Sequence, residues 1–103
     1  MILTGKQKRF LRAKAHVLKP VVHVGKDTVT PALVKEVKRQ LDVHELIKVK
    51  ALEADSRDVL FASLCTELGA SLVQTVGKIG VLYKARVKDS KIVLPRQSQV
   101  IKS

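Results

Sequence analysis

The sequence is poor in aromatic residues. Among 103 residues only Phe10, Phe61 and Tyr83 are aromatic, and there is no Trp. Proteins that hold single-stranded nucleic acid lean on aromatic stacking platforms, so stacking is not expected as the main contact with any such partner. Tyr83 is the one candidate stacker, and packing in a sheet is an equal reading for it. The chain has a single cysteine, Cys65. That excludes an internal disulfide and any Cys-based zinc site, and fits a reducing compartment. No apolar run approaches the ~18–20 residues of a membrane span. The N-terminal MILTGKQKRF places its charge after its opening apolar residues, the reverse of a secretory signal. A soluble, cytoplasmic protein is expected. Repeats, low-complexity stretches and Ser/Gly linkers are also missing. One domain over residues 1–97, with a loose tail at 98–103, is all that this length accommodates.

Acidic residues are scarce too. Nine Asp and Glu face twenty Lys and Arg, a net charge of +11. Such an excess points to an anionic partner: RNA, DNA or a membrane surface. The charge is uneven. Residues 1–39 carry ten basic and two acidic groups, residues 40–73 three and six, and residues 74–103 seven and one.

The turn and cap residues divide the chain clearly. Thr4 with Gln7 three residues on forms a capping box for a helix from Gly5 to Leu18. Pro20–Val24 reads as a short strand closed by Gly25. Thr30-Pro31 starts a second helix, running to about Val43. Leu46–Leu52 alternates, with Ile47, Val49 and Ala51 on one side and Lys48 and Lys50 on the other, so it reads as a strand. Asp55 or Ser56 caps a third helix ending at Leu68, with Gly69 as its left-handed stop. Ser71–Val76 and Val81–Arg86 are strands flanking a Gly77-Lys78-Ile79-Gly80 loop, and Lys91–Leu94 is a candidate extension of the sheet. The fold class is therefore α/β, a single domain of order α-β-α-β-α-β-β. Crossover helices imply a four-stranded mixed sheet, and the last two strands form an antiparallel hairpin.

Helix two places Leu33, Val34, Val37 and Leu41 in one arc, and helix three does the same with Leu60, Phe61, Leu64, Cys65 and Leu68. These are core faces, and Cys65 reads as a small buried hydrophobe. Helix one differs. Phe10, Leu11, Val17 and Leu18 make its apolar side, interrupted by Lys14, whose stem packs while its amine reaches water. Lys8, Arg9, Arg12 and His16 form a contiguous arc opposite, and residues 1–19 hold six basic residues and no acidic one. A solvated helix face and a phosphate-contacting face both fit this arc. The lack of any acid forgoes the i,i+4 pairs of an ordinary surface helix. Lys35, Lys38 and Arg39 on helix two extend the positive region, with Asp42 one turn beyond Lys38.

The Gly77-Lys78-Ile79-Gly80 segment has two readings. Glycines let a backbone approach a sugar–phosphate chain closely, with Lys78 adding a charge, and they also serve a plain hairpin turn. The K homology domain joins two helices with such a loop, whereas strands flank this one. Neither GxGxxG nor GxxxxGK[ST] occurs, so nucleotide-cofactor sites are not expected. His16, His23 and His44 form no i,i+4 or HExxH pair and read as structural or capping. No paired carboxylates suggest acid–base work. Catalytic residues, metal ligands, cofactors and a small-molecule substrate are therefore not expected.

Several segments together resemble a known family. Leu3-Thr4-Gly5-Lys6-Gln7, Ala15-His16-Val17-Leu18-Lys19-Pro20-Val21-Val22, Val24-Gly25-Lys26, His44-Glu45-Leu46-Ile47-Lys48-Val49-Lys50, Gly77-Lys78-Ile79-Gly80 and Lys91-Ile92-Val93-Leu94-Pro95-Arg96 occur in order. They resemble the bacterial YhbY-type stand-alone CRM domain (chloroplast RNA splicing and ribosome maturation). The likeness spans about residues 2–96. One departure is Asp27-Thr28-Val29-Thr30, where the family often has a Gly-Leu-Thr turn. The resemblance implies a fold similar to the C-terminal domain of translation initiation factor three. It implies RNA binding, association with precursors of the large ribosomal subunit, and a part in their assembly. The family's RNA-contact loop maps onto Gly77, Lys78, Ile79 and Gly80, and its basic first helix onto Lys6, Lys8, Arg9 and Arg12. A competing expectation of another class is a peripheral membrane protein with helix one as a basic amphipathic anchor.

Overall fold

A computed structural model describes residues 3–25, 29–51, 57–86, 92 and 94–95. Seven elements follow the expected order: α1 (Gly5–Ala15), β1 (Pro20–Val24), α2 (Pro31–His44), β2 (Leu46–Ala51), α3 (Arg57–Leu68), β3 (Ser71–Val76) and β4 (Ile79–Tyr83). The expected cap at Asp55 or Ser56, the departure at 27–28 and the tail at 98–103 lie outside the described residues. So do Lys91 and Val93, while Ile92 and Leu94 belong to no strand.

The helix starts are set by side chains. Thr4 accepts from the Gln7 amide at 3.1 Å and the Gln7 side chain returns to the Thr4 amide at 3.0 Å, closing the capping box. Thr30 accepts from the Leu33 amide at 3.1 Å, with Pro31 as the first helical residue. Gly69 ends α3 at φ 65°, where a side chain would be strained. α1 ends at Ala15, three residues short of the expected Leu18. Pro20 bars the residue before it from helical geometry, and the chain leaves the helix early enough to turn toward β1. The Leu18 amide then bonds to the Ala15 carbonyl at 2.9 Å.

The strand order is β1-β2-β4-β3, with β1 parallel to β2 and β4 antiparallel to both of its neighbours. Strands β1, β2 and β3 thus run the same way. Crossovers between parallel strands are right-handed, and both here step in the same direction across the sheet, so α2 and α3 fall on one face. Alternation sorts the strands accordingly. Val22, Val24, Ile47, Val49, Ala51 and Leu82 pack with α2 and α3, while Leu46, Val73, Val81 and Tyr83 pack with Leu11 and Ala15 of α1. Ile92 and Leu94 join the second cluster, and the Gln7 side-chain Nε2 donates to the Pro95 carbonyl at 3.1 Å.

Glu45 joins α2 to β2 at φ 64° and is buried. Its carboxylate accepts from the Arg86 amide at 3.1 Å and its carbonyl from the Lys84 amide at 2.9 Å, tying this corner to the chain leaving β4.

The last hairpin corrects the sequence reading. β4 begins at Ile79 rather than Val81 and ends at Tyr83 rather than Arg86. The four-residue Gly-x-x-Gly loop is therefore a two-residue turn, Gly77-Lys78. Gly77 has φ 55° and Lys78 has no positive φ, the signs of a type II′ turn, which matches strand twist. Gly80 is buried in the sheet, between Thr75 and Val49. An added Cβ there would lie 2.7–2.8 Å from three ring carbons of Phe61. Glycine is required because α3 seats its aromatic ring directly on the strand. Gly80→Ala is expected to lower stability by about 1–3 kcal/mol, as overpacking does. Denaturant unfolding should show that loss shrinking when Phe61→Leu is combined with it; strict additivity would contradict the contact.

Candidate nucleic-acid interface

Among the described residues, the face that carries α1 is only partly covered. Strand alternation brings Lys48 and Lys50 of β2 onto this face, beside Val81 and Ile79 of β4 respectively. His23 is on the same side of β1 and exposed, since Val22 and Val24 point into the opposite core. The Lys48 ammonium donates to the Leu18 carbonyl at 3.0 Å, which fixes the lysine where the chain leaves α1.

All four basic residues expected on α1 are exposed: Lys6, Lys8, Arg9 and Arg12. Helical geometry puts Lys8, Arg12 and His16 in one row at i, i+4 and i+8, with Arg9 beside it. Lys6 is about 120° round the helix from Arg12. The row faces the hairpin. Arg12 and His16 line a cleft of about 300 Å³ together with Lys48, Gln74, Val76 and Ile79, over Ala15 and Val81. Helix one and the hairpin therefore meet in space, as one surface requires. Gly77 and Lys78 form the exposed tip next to this cleft. The Lys78 carbonyl accepts from the Ala51 amide at 2.8 Å, so the tip is tied to β2. Ile79 is half-buried, and Gly80 is inside the sheet. Gly80 thus offers no free loop backbone, and the exposed part of the motif is Gly77-Lys78.

The charges are sorted by layer. α1 has no described acidic neighbour in an ion pair. Every described acidic residue other than buried Glu45 belongs to α2 or α3: Glu36, Asp42, Asp58 and Glu67. Lys38 bonds Asp42 at 2.9 Å and Arg39 bonds Glu36 at 2.8 Å. The Lys38 hydrogen bond holds the Asp42 carboxyl below its ordinary range, and Arg39 followed by Gln40 does the same for Glu36. Lys35, Lys38 and Arg39 therefore do not extend the α1 surface. They ride on the helix layer behind the sheet, and two of them are neutralised locally.

Sequence reasoning placed His16 on the basic arc of helix one but did not include Lys48, Lys50 or Gln74 in the site. The alternation of Lys48 and Lys50 against Ile47, Val49 and Ala51 was the available signal, but it does not say which face of the sheet is left open. Tyr83 is buried beneath α1, and burial, then the Glu45 charge, pushes its phenol up. It is not a stacking platform. The Lys14 ammonium lies over the Phe10 ring, 5.6 Å from its centroid. His16 is the C-cap of α1, His23 faces outward, and His44 is the last residue of α2; all three are exposed. No group of three or more potential metal ligands occurs among the described residues. No described helix is long and apolar enough to cross a membrane.

These features define a class: a small α/β domain presenting one polycationic face built from a helix, a strand and a hairpin tip. Residues 3–84 match the CRS1 / YhbY (CRM) domain, and the chain belongs to that family. It is 46% identical over 97 residues to "Probable RNA-binding protein YqeI" of Bacillus subtilis (strain 168), covering 91% of this chain and all of that one. A Haemophilus influenzae relative named "RNA-binding protein" is 41% identical, over 92% of this chain and 97% of its own length. The solution structure of SAV1595 from Staphylococcus aureus superposes with a TM-score of 0.79 at 35% identity, covering 91% of this chain and all of that one.

Cys65 has no place in this face. It is buried in the α2–α3 core, and burial pushes its thiol up to about 11. At pH 8 it is a thiol, the unreactive form. Maleimide or a disulfide reagent is expected to leave it unmodified in the folded protein and to label it fully in denaturant. Rapid labelling of the native protein would contradict that burial.

Proposed function

We propose that the protein binds structured RNA in precursors of the large ribosomal subunit and assists their assembly in the cytoplasm, without catalysing a reaction. The observation that carries this reading is the separation of charge. Cations on α1, β2 and the Gly77-Lys78 tip share one face, and the described acids are behind the sheet or buried. Clustered cations that gain no ion pairs among the described residues suit a partner that supplies the anions, and a phosphate backbone supplies them at close, regular spacing. Relatives carrying the same domain are named as RNA-binding proteins. The scarcity of exposed aromatics favours backbone contact over base stacking.

The membrane-surface reading needs the apolar side of α1 free for lipid. Leu11 and Ala15 on that side are buried against the sheet, so the geometry favours RNA.

Lys8→Ala, Arg12→Ala and Lys78→Ala are each expected to weaken RNA binding and to lower the log–log salt slope by about 1. Lys38→Ala, on the opposite layer, should leave the slope unchanged. Unchanged slopes in the first three, or a drop in the fourth, would contradict the surface. In gradient sedimentation of cell extract the protein should travel with large-subunit precursors at low salt and leave them at high salt. Remaining at the top of the gradient would refute the assembly role.

A further inference from the structure

The cleft between α1 and the β3–β4 hairpin has more chemistry than a backbone contact uses. Its lining mixes the polar side chains of Arg12, His16, Lys48 and Gln74 with the apolar ones of Ala15, Val76, Ile79 and Val81. Among the described residues the Arg12 guanidinium and His16 imidazole have no ion-pair partner, and the side-chain amide of Gln74 has no protein hydrogen-bond partner. Val76, at 54% exposure, and half-buried Ile79 present apolar surface beside them. An apolar surface flanked by a cation and by a half-exposed side-chain amide with no described protein partner matches the parts of a nucleotide: phosphate, base face and base edge. Small-molecule sites begin at about 300 Å³, and this cleft has that volume. That is the scale of a single small ligand.

We infer that this cleft takes a single unpaired nucleotide, extruded from a structured RNA, while the surrounding cations hold the flanking backbone. Arg12 and His16 face the phosphate, the Val76–Ile79 surface takes the base face, and the Gln74 amide, both donor and acceptor, reads the base edge. Sequence-selective RNA recognition targets such splayed-out bases, because paired A-form helices hide their edges in a narrow groove. The inference rests on the RNA-binding reading and adds a preference to it: bulged over fully paired RNA.

The test uses the full chain and two hairpin RNAs of equal stem length, one fully paired and one with a single unpaired nucleotide in the stem. Affinities are measured at one salt concentration. The protein is expected to bind the bulged RNA about ten-fold more tightly, the scale of one good base contact. Gln74→Leu, which keeps side-chain volume and is checked by thermal melting, should bring that ratio close to one. Equal binding of both RNAs by the unmodified protein would overturn the inference and leave the RNA-binding reading standing. An undiminished ratio in folded Gln74→Leu would overturn the role of the cleft. Failure to bind either RNA would overturn the RNA-binding reading and the inference with it.

Discussion

Right-handed crossover connections dictate this molecule's layout. Two such crossovers stepping the same way across a sheet must put their helices on one face, and α2 and α3 do so. Among the described residues, the other face is left to α1 and to the short segment holding Ile92 and Leu94. One helix cannot cover four strands. The uncovered part of that face is where alternation delivers Lys48 and Lys50. A polycationic platform is thus a by-product of topology plus pleat: the topology leaves a face open, and the pleat decides which side chains occupy it.

The hairpin depends on the same arrangement. Phe61 of α3 is fully buried against β4, and only a glycine at position 80 lets the ring come that close. With β4 held down there, the strand begins at Ile79 and the exposed tip contracts to Gly77-Lys78. Both glycines therefore have reasons internal to the fold: a positive φ at Gly77 and a ring contact at Gly80. Lys78 is the part of the motif that faces solvent with a charge.

Much of the fold was legible in the chain. Thr4, Thr30-Pro31 and Gly69 each impose local geometry, and they marked element ends to within a residue. The alternation of Leu46–Ala51 was equally plain. What could not be read were facts decided across the fold. Gly-x-x-Gly looks like a loop until the ring above Gly80 is known. Lys35, Lys38 and Arg39 look like part of one basic region until α2 is seen to lie behind the sheet, with Lys38 and Arg39 satisfied by Asp42 and Glu36. The candidate site was legible on α1, where the lack of acid is a property of the sequence. Lys48, Lys50 and Gln74 were invisible as site residues because membership depends on which sheet face is uncovered.

The central claim is that RNA meets the α1 face and leaves the α2–α3 layer untouched. Amide chemical-shift mapping of the labelled full chain during titration with a structured RNA tests it most directly. The account predicts perturbations along Lys8–His16, at Lys48 and Lys50, and through Gln74–Ile79, with α2 and α3 unmoved. Perturbations centred on Lys35–Asp42 or on α3, with the α1 face silent, would contradict it.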